Sequence, residues 1–420
     1  MKVSVFRKYR RYWLLFVMFV FLHSLRYFDF IYLNQKVYEY LTWALAAFLI
    51  ALCCLFRKKS SAMHSSGFLL AMILVPMLSI VPCFIENGQS PVDSLKAYLP
   101  FFLTFIYFIL HYSRIRESDL VKMITILAVV RILIVVVQQV TFPSYLFSYR
   151  PEGFDASGVY REVEVRSGIY RFYVEDTYLS MFLVFYYFER YLRKHSLPSL
   201  LLCALGFVGI YFDQSRQFML STVAAFGIVL LFSLKMKGKW AVVLGVSVIA
   251  VLILRYAAAL FGDLAEMTLE DIDEDNIRLV AYATYLLEIW GGPLSVIFGN
   301  GVPWKGAYAD QMEYYSNTLR LYRADIGIVG ALNAFGIVTV LVFLGFFIFF
   351  VGRNWKKLRP HLQMYYLAAI INMPMVTVYT QNINWFVFMA MMLYLSDISI
   401  SSYDRKVRNK RKICAESVPA

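Results

Sequence analysis

Arginines in two polar segments and at the end of one apolar run are the residues most able to do chemistry in this chain. They are Arg150, Arg161, Arg166 and Arg171 in the first segment, Arg278, Arg320 and Arg323 in the second, and Arg216 beside the apolar run. A guanidinium group is planar, binds two phosphate oxygens at once and stays charged in a partly dry site. As a set, these arginines predict a site for an anion such as a lipid diphosphate. For each one singly, pairing with a local acid, as of Arg171 with Glu175, is the alternative.

The segment from Glu313 to Arg323 holds an acid, polar side chains and cations within eleven residues. If it is helical, Glu313, Ser316, Arg320 and Arg323 recur at steps of three and four and share one face. That face would combine a base with two cations. An interfacial helix with salt-bridged charges is the alternative.

Other chemistries find little support in the sequence. The histidines, at positions 23, 64, 111, 195 and 361, all fall outside the two polar segments, which disfavours a catalytic or metal-binding histidine there. Asp271-Ile272-Asp273 has the form of a metal-binding DxD motif, but a solvated acidic helix start explains it better. We therefore expect neither a metal nor another cofactor.

The composition indicates which elements must position these residues. Hydrophobic residues make up 60% of the 420 residues, charged residues only 16%, and the mean hydropathy is +0.60. Soluble domains are about 25% charged, so this chain could not cover a soluble surface. We predict an all-α polytopic integral membrane protein, one membrane domain over residues 1–420. The net charge of +13 comes mainly from short clusters between apolar runs, which indicates membrane orientation and not nucleic-acid binding.

About twelve apolar runs are each long enough to be a transmembrane helix, or nearly so. They are 12–33, 38–56, 67–86, 95–113, 119–141, 176–192, 198–212, 217–234, 240–261, 325–351, 361–379 and 383–400. Basic clusters follow alternate runs, such as Arg57-Lys58-Lys59, Arg353 to Arg359 and Arg405 to Lys412. The positive-inside rule makes that side, with both termini, cytoplasmic.

Two connections are much longer than the others, and both fall on the outer side in this topology. The first outer loop covers residues 142–176, and a short hairpin is expected around Tyr160–Gly168. The second outer loop covers residues 262–324. Its stretch Leu264 to Trp290 predicts an amphipathic helix on the membrane surface, broken by Gly291-Gly292-Pro293.

Several motifs occur here in a recognisable order. Arg278 leads Ala281 to Glu288, then come Pro293, Phe298-Gly-Asn-Gly301 and, opening an apolar run, Asp325-Ile-Gly-Ile-Val-Gly330. With Ser215-Arg216 and Gly168-Ile-Tyr-Arg171 before them, they resemble the O-antigen polymerase and ligase superfamily. The ligases carry His-Asn at the position of Ser316-Asn317, so the missing histidine favours a polymerase.

The resemblance implies a GT-C-like glycosyltransferase of the bacterial inner membrane with periplasmic outer loops, active in lipopolysaccharide or other surface polysaccharide biosynthesis. It would need no metal and would join undecaprenyl-diphosphate-linked oligosaccharides, among membrane lipids and with a chain-length regulator as a conceivable protein partner. The implied diphosphate ligands are Arg171, Arg216, Arg278, Arg320 and Arg323, the base is Glu313, Asp310 or Asp176, and Ser316 and Asn317 position the substrate. An O-antigen ligase and a lipid-linked oligosaccharide flippase are the alternatives.

Overall fold

The computed structural model describes most of the chain and is helical almost throughout. The described residues are 9–25, 35–55, 63–141, 165–166, 169–170, 177–213, 216–232, 277–377 and 383–416. Within them, the only strands are β1 (Val165–Arg166) and β2 (Ile169–Tyr170), which pair antiparallel with Val165 opposite Tyr170. The short hairpin predicted near this position in the first outer loop is confirmed.

The helices follow one another closely along the chain. The first ten are α1 (Arg10–Ser24), α2 (Gln35–Leu55), α3 (Ser66–Leu74), α4 (Ile80–Ile85), α5 (Pro91–Tyr98), α6 (Ile106–Ser113), α7 (Glu117–Thr141), α8 (Thr177–Lys194), α9 (Leu197–Phe212) and α10 (Arg216–Phe232). Helix α11 covers 277–283 and continues as the π-helix Thr284–Glu288. The last five are α12 (Pro293–Phe298), α13 (Ala307–Glu313), α14 (Gly327–Gly345), α15 (Pro360–Asn372) and α16 (Ile383–Glu416). Short 3-10 helices join α3 to α4 and α5 to α6. A third, Arg323–Ile326, leads directly into α14.

Six helical stretches of the described chain are long and apolar enough to cross a membrane. They are Lys36–Leu55, Ser66–Ile85, Pro91–Ser113, Glu117–Thr141, Arg323–Gly352 and Trp385–Asn409. Helices α9 and α10 are apolar but shorter, and the predicted span 240–261 lies outside the described residues. The chain is therefore a helical membrane protein, while the count of twelve spans stays a prediction.

Charged side chains tie several helix ends together on one side of the molecule, here called the basic face. Arg359, before α15, pairs with Glu117 at the start of α7, and Lys357 pairs with Asp404 of α16 at 3.0 Å. Arg10 at the start of α1 lies 4.0 Å from Asp119 of α7. These contacts place the starts of α1, α7 and α15 beside the distal half of α16.

A break in α14 allows the second outer loop to pack against the spans. Gly336 has φ +75°, and a Cβ at this position would lie 2.2 Å from the carbonyl oxygen of Ile297. Only glycine adopts this conformation readily while allowing a second backbone so close. The break therefore fixes where residues 297–301 contact α14.

Candidate functional site

An asparagine inside α14 holds the end of α11 in place. The side-chain amide of Asn333 donates to the carbonyl oxygens of Tyr285 at 3.0 Å and Ile289 at 2.7 Å. Asn333 is completely buried. The helix ends at Glu288, just before the glycines at 291 and 292, so the predicted break is confirmed. The part of the predicted helix at 264–276 lies outside the described residues.

Asn300 connects the same helix end to the next turn of the loop. Its amide donates to the carbonyl oxygen of Ile289 at 2.9 Å, and its side-chain oxygen accepts from the backbone N–H of Gly291 at 2.9 Å. The backbone N–H of Asn300 donates to the carbonyl oxygen of Asn333 at 2.9 Å. Asn300 is 1% exposed. The asparagine of the Phe298-Gly-Asn-Gly301 motif is thus a structural link between the loop and α14.

Two polar residues after α4 bind backbone groups of the second outer loop at α12 and just after it. The carboxylate of Glu86 accepts from the backbone N–H groups of Leu294 and Ser295, both at 3.0 Å, at the start of α12. The side-chain oxygen of Gln89 accepts from the backbone N–H of Trp304 at 2.8 Å. Sequence reasoning missed both residues. Their one signal was a polar run, Glu86 to Ser90, directly after an apolar one.

Arg323 lies at the centre of this folded loop. It is half-buried, and its Nη1 donates to the carbonyl oxygen of Gly301 at 3.3 Å. The Tyr308 hydroxyl donates to the same carbonyl oxygen at 3.2 Å. Burial raises the pKa of Tyr308, and the charge of Arg323 partly offsets that rise. Burial likewise raises the pKa of Tyr285 to about 12. Both tyrosines are therefore neutral hydrogen-bonding groups at physiological pH.

The segment that carries Glu313 is helical, but the helix ends before the arginines. Helix α13 runs into the π-helix Tyr314–Thr318, and Arg320 has φ +57°, in the left-handed region. The predicted shared face is therefore wrong for Arg320 and Arg323, because the helix ends before them and the chain turns at Arg320. Glu313 and Ser316 lie within the helical part, and Asn317, which was not assigned to that face, donates from its amide to Glu313 Oε1 at 3.1 Å.

Two further predicted arginines belong to segments that meet at the end of α15. Arg216 is the first residue of α10, whose Gln217 side chain donates to the carbonyl oxygen of Asn372 at 3.1 Å. Arg278 is exposed one turn before Tyr282, and the Tyr282 hydroxyl donates to the carbonyl oxygen of Pro374. The backbone N–H of Ile328, at the start of α14, donates to the carbonyl oxygen of Met373 at 3.0 Å. The fold thus brings the segments of Arg216, Arg278 and Arg323 to one place.

The other predicted site residues make few contacts that would fix their side chains or lie outside the described residues. Asp310 is exposed in the first turn of α13, and Ser316 donates back to the carbonyl oxygens of Met312 and Glu313. Arg171 and Asp176 lie outside the described residues, as do Arg150, Arg161, Asp271 and Asp273.

Arg320 and Arg323 lack a neutralising acid within the described part of the chain. Arg320 is exposed and forms no hydrogen bond or ion pair with a described side chain, while Arg323 donates to a carbonyl oxygen. A cation in a partly dry position without a carboxylate partner attracts an anion more strongly than one in a salt bridge. The arrangement can therefore bind an anionic group beside the membrane.

No protein-family model matches the chain, and no curated protein matches it in sequence.

Proposed function

We propose that this chain is a polysaccharide polymerase that transfers a growing chain from its lipid diphosphate carrier onto a new lipid-linked repeat unit. The observation that carries the proposal is the pair Arg320 and Arg323, which meets no described carboxylate on the side away from the basic face. Under the positive-inside rule the basic face is cytoplasmic. The arginines then face the outer side of the bacterial inner membrane, where both lipid-linked substrates would present their sugars.

The reaction is a displacement at the anomeric carbon of the donor sugar. The acceptor hydroxyl oxygen forms a bond to that carbon while the bond from carbon to the carrier's phosphate oxygen breaks. The electron pair leaves with the lipid diphosphate, and the hydroxyl proton goes to a carboxylate. Because the diphosphate is already a good leaving group, stabilising its growing charge is the main task of the protein.

Arginines and a carboxylate of the second outer loop provide the required groups. Arg278, Arg320 and Arg323 would bind the diphosphate, joined by Arg216 and Arg171. Glu313 is the first candidate for the base, because it is exposed and its carboxylate is oriented by Asn317 at 3.1 Å. Asp310 and Asp176 are the next candidates. Ser316 and Asn317 would hold the acceptor sugar close to Glu313 and so lower the entropic barrier.

Deletion of the gene in its host, followed by separation of the surface polysaccharide by size on a gel, tests the proposal. The expected result is a surviving band of one repeat unit on its anchor with the longer ladder lost. Complementation with Arg320→Ala or Arg278→Ala should leave that defect, whereas Lys305→Ala, an exposed cation of the same loop, should restore the ladder.

Two other outcomes of the same gel would contradict the polymerase. Full-length polymer left on the lipid carrier would indicate a ligase. An unchanged ladder would exclude both enzymes and favour a transporter, such as a flippase.

A further inference from the structure

The second outer loop presents an unusual amount of apolar surface on its outward side. Leu279, Val280, Leu286 and Leu287 of α11 are 64%, 51%, 43% and 73% exposed, and Val296 and Ile297 of α12 are exposed as well. The inward side of α11 is also apolar, with Ala281, Tyr285 and Ile289 buried. A helix that is apolar on both sides is normally buried in a protein core or in a membrane and not exposed to water.

The depth of the second outer loop in the membrane can be estimated from the span that it contacts. A Cβ on Gly301 would lie 2.8 Å from Cys83 and 3.4 Å from the carbonyl oxygen of Ser79. Cys83 and Ser79 lie two and six residues before the end of the span Ser66–Ile85. At 1.5 Å per residue, these contacts are about 3 and 9 Å below that end. Residues near Gly301 therefore lie at the level of the hydrocarbon edge or slightly below it.

The backbone of the loop can tolerate that depth. Lipid offers no hydrogen bonds, so irregular backbone at membrane depth must be paired within the protein. The N–H groups of Asn300 and Gly301 donate to the carbonyl oxygens of Asn333 and Ala334 at 2.9 and 2.8 Å. Glu86 pairs the first free N–H groups of α12. Protein groups thus hold the turn after α12.

The apolar surface of α12 continues onto the neighbouring span. Helix α12 packs on α4, where Val81, Phe84 and Ile85 are 52%, 53% and 61% exposed. These side chains belong to a span and face outward, so lipid covers them. Leu294, Val296 and Ile297 of α12 are also exposed, on a helix that packs against α4.

We infer that α11 and α12 insert into the leaflet opposite the basic face, with Leu279, Leu286, Leu287, Val296 and Ile297 among the lipid hydrocarbon chains. Insertion of about 5–10 Å is typical of interfacial helices and matches the depth given by Cys83 and Ser79. Arg278, exposed at the start of α11, then lies at the level of the lipid headgroups. This inference is independent of the proposed enzymatic activity.

Spin labels on single cysteines of the full-length protein test the insertion. Cys53, Cys54, Cys203 and Cys414 are replaced by serine, and Cys83 is kept because it is buried against the loop. Labels are then placed by Leu287→Cys and Val296→Cys, with Phe84→Cys as the lipid control and Lys305→Cys as the aqueous control. The protein is studied in vesicles of phosphatidylethanolamine and phosphatidylglycerol.

Accessibility to oxygen, which concentrates in lipid, is compared with accessibility to a water-soluble nickel chelate. Labels at 287 and 296 should favour oxygen, as at 84, whereas the order should be reversed at 305. Preference for the nickel chelate at 287 and 296 would overturn the inference. Protection from both reagents would also overturn it, because it would mean that a protein surface covers the helices. Gel filtration in detergent identifies any variant that misfolds, and Leu286→Cys then replaces it.

Discussion

The two ends of this helical protein hold their charges in different ways. On the basic face, cations meet acids: Arg359 pairs with Glu117, and His361 lies 2.6 Å from Glu189. At the other end, charged and amide side chains mostly bind backbone groups, as Glu86, Asn300 and Asn333 do. Charges neutralised within the protein hold helices together, whereas Arg320 and Arg323 meet no acid among the described residues and are therefore the groups that we propose bind a ligand. Substitution of a buried paired charge at the first end should therefore cost stability, whereas substitution of Arg320 or Arg323 should cost activity.

The largest expected loss of stability comes from Asp397, a fully buried acid of α16. Its carboxylate accepts from the backbone N–H of Ser65 at 3.1 Å and from the Tyr107 hydroxyl, and lies 3.1 Å from His111 Nε2. Asp397→Ala leaves these groups unpaired and should lower the free energy of unfolding by about 3–5 kcal/mol. Denaturation in mixed micelles measures this. Asp397→Asn, which keeps an acceptor but not the charge, should lose less, and equal losses would mean that a neutral acceptor cannot replace the carboxylate.

Arg320 should show the opposite behaviour. Arg320→Ala should lower the rate of polymerisation about 10²–10³-fold, because removing one donor to a developing negative charge typically has an effect of this size. The free energy of unfolding of Arg320→Ala should stay within about 0.5 kcal/mol of the parent, because Arg320 is exposed and forms no hydrogen bond or ion pair with a described side chain. Polymer formation from lipid-linked repeat units in vesicles measures the rate.

Arg320→Lys separates charge from shape at the same position. It should recover part of the activity, since lysine keeps the charge but loses the planar fork. An Arg320→Ala protein that unfolds as readily as Asp397→Ala would remove the contrast between the two ends.

The parts of the fold that local sequence determines were predictable. Long apolar runs predicted the six spans found in the described residues, the alternation before Arg166 predicted the β-hairpin, and Gly291-Gly292-Pro293 predicted the end of α11. The prediction from local sequence failed after Thr318. It continued one helical face to Arg323, but the chain makes a left-handed turn at Arg320. A tertiary contact explains that turn, because the Leu321 carbonyl oxygen accepts from the Tyr285 hydroxyl at 2.9 Å.

The polar links of the loop could not be predicted from one sequence. Glu86 binds backbone groups more than 200 positions away, and Asn300 and Asn333 act through carbonyl groups that any residue would supply. An asparagine within an apolar span was a usable signal, since buried amides need partners. Which carbonyl groups it binds depends on the break at Gly336, and glycine is common in membrane helices.

Asn333→Ala tests whether the loop is held by these links. The Tyr285 and Ile289 carbonyl oxygens would each lose a donor, although Ile289 keeps Asn300 at 2.9 Å. A loss of about 1–3 kcal/mol is expected, confined mainly to the loop. Hydrogen exchange should become faster in residues 289–301 but not in α7, which serves as the internal reference. Faster exchange throughout would mean that Asn333 supports the whole bundle.

Lys357→Ala should have the smallest effect, and it sharpens the comparison. The pair with Asp404 has good geometry at 3.0 Å, but both side chains are about a third exposed, at 34% and 30%. Such pairs contribute roughly 0–1 kcal/mol, because water and salt screen the attraction and ordering two side chains costs entropy. The small loss should vanish in unfolding measurements at 1 M salt, whereas the loss for Asp397→Ala should persist because that carboxylate is shielded from ions. If Lys357→Ala costs as much as Asp397→Ala, stability at the basic face does not depend on burial, and its clusters do more than orient the chain.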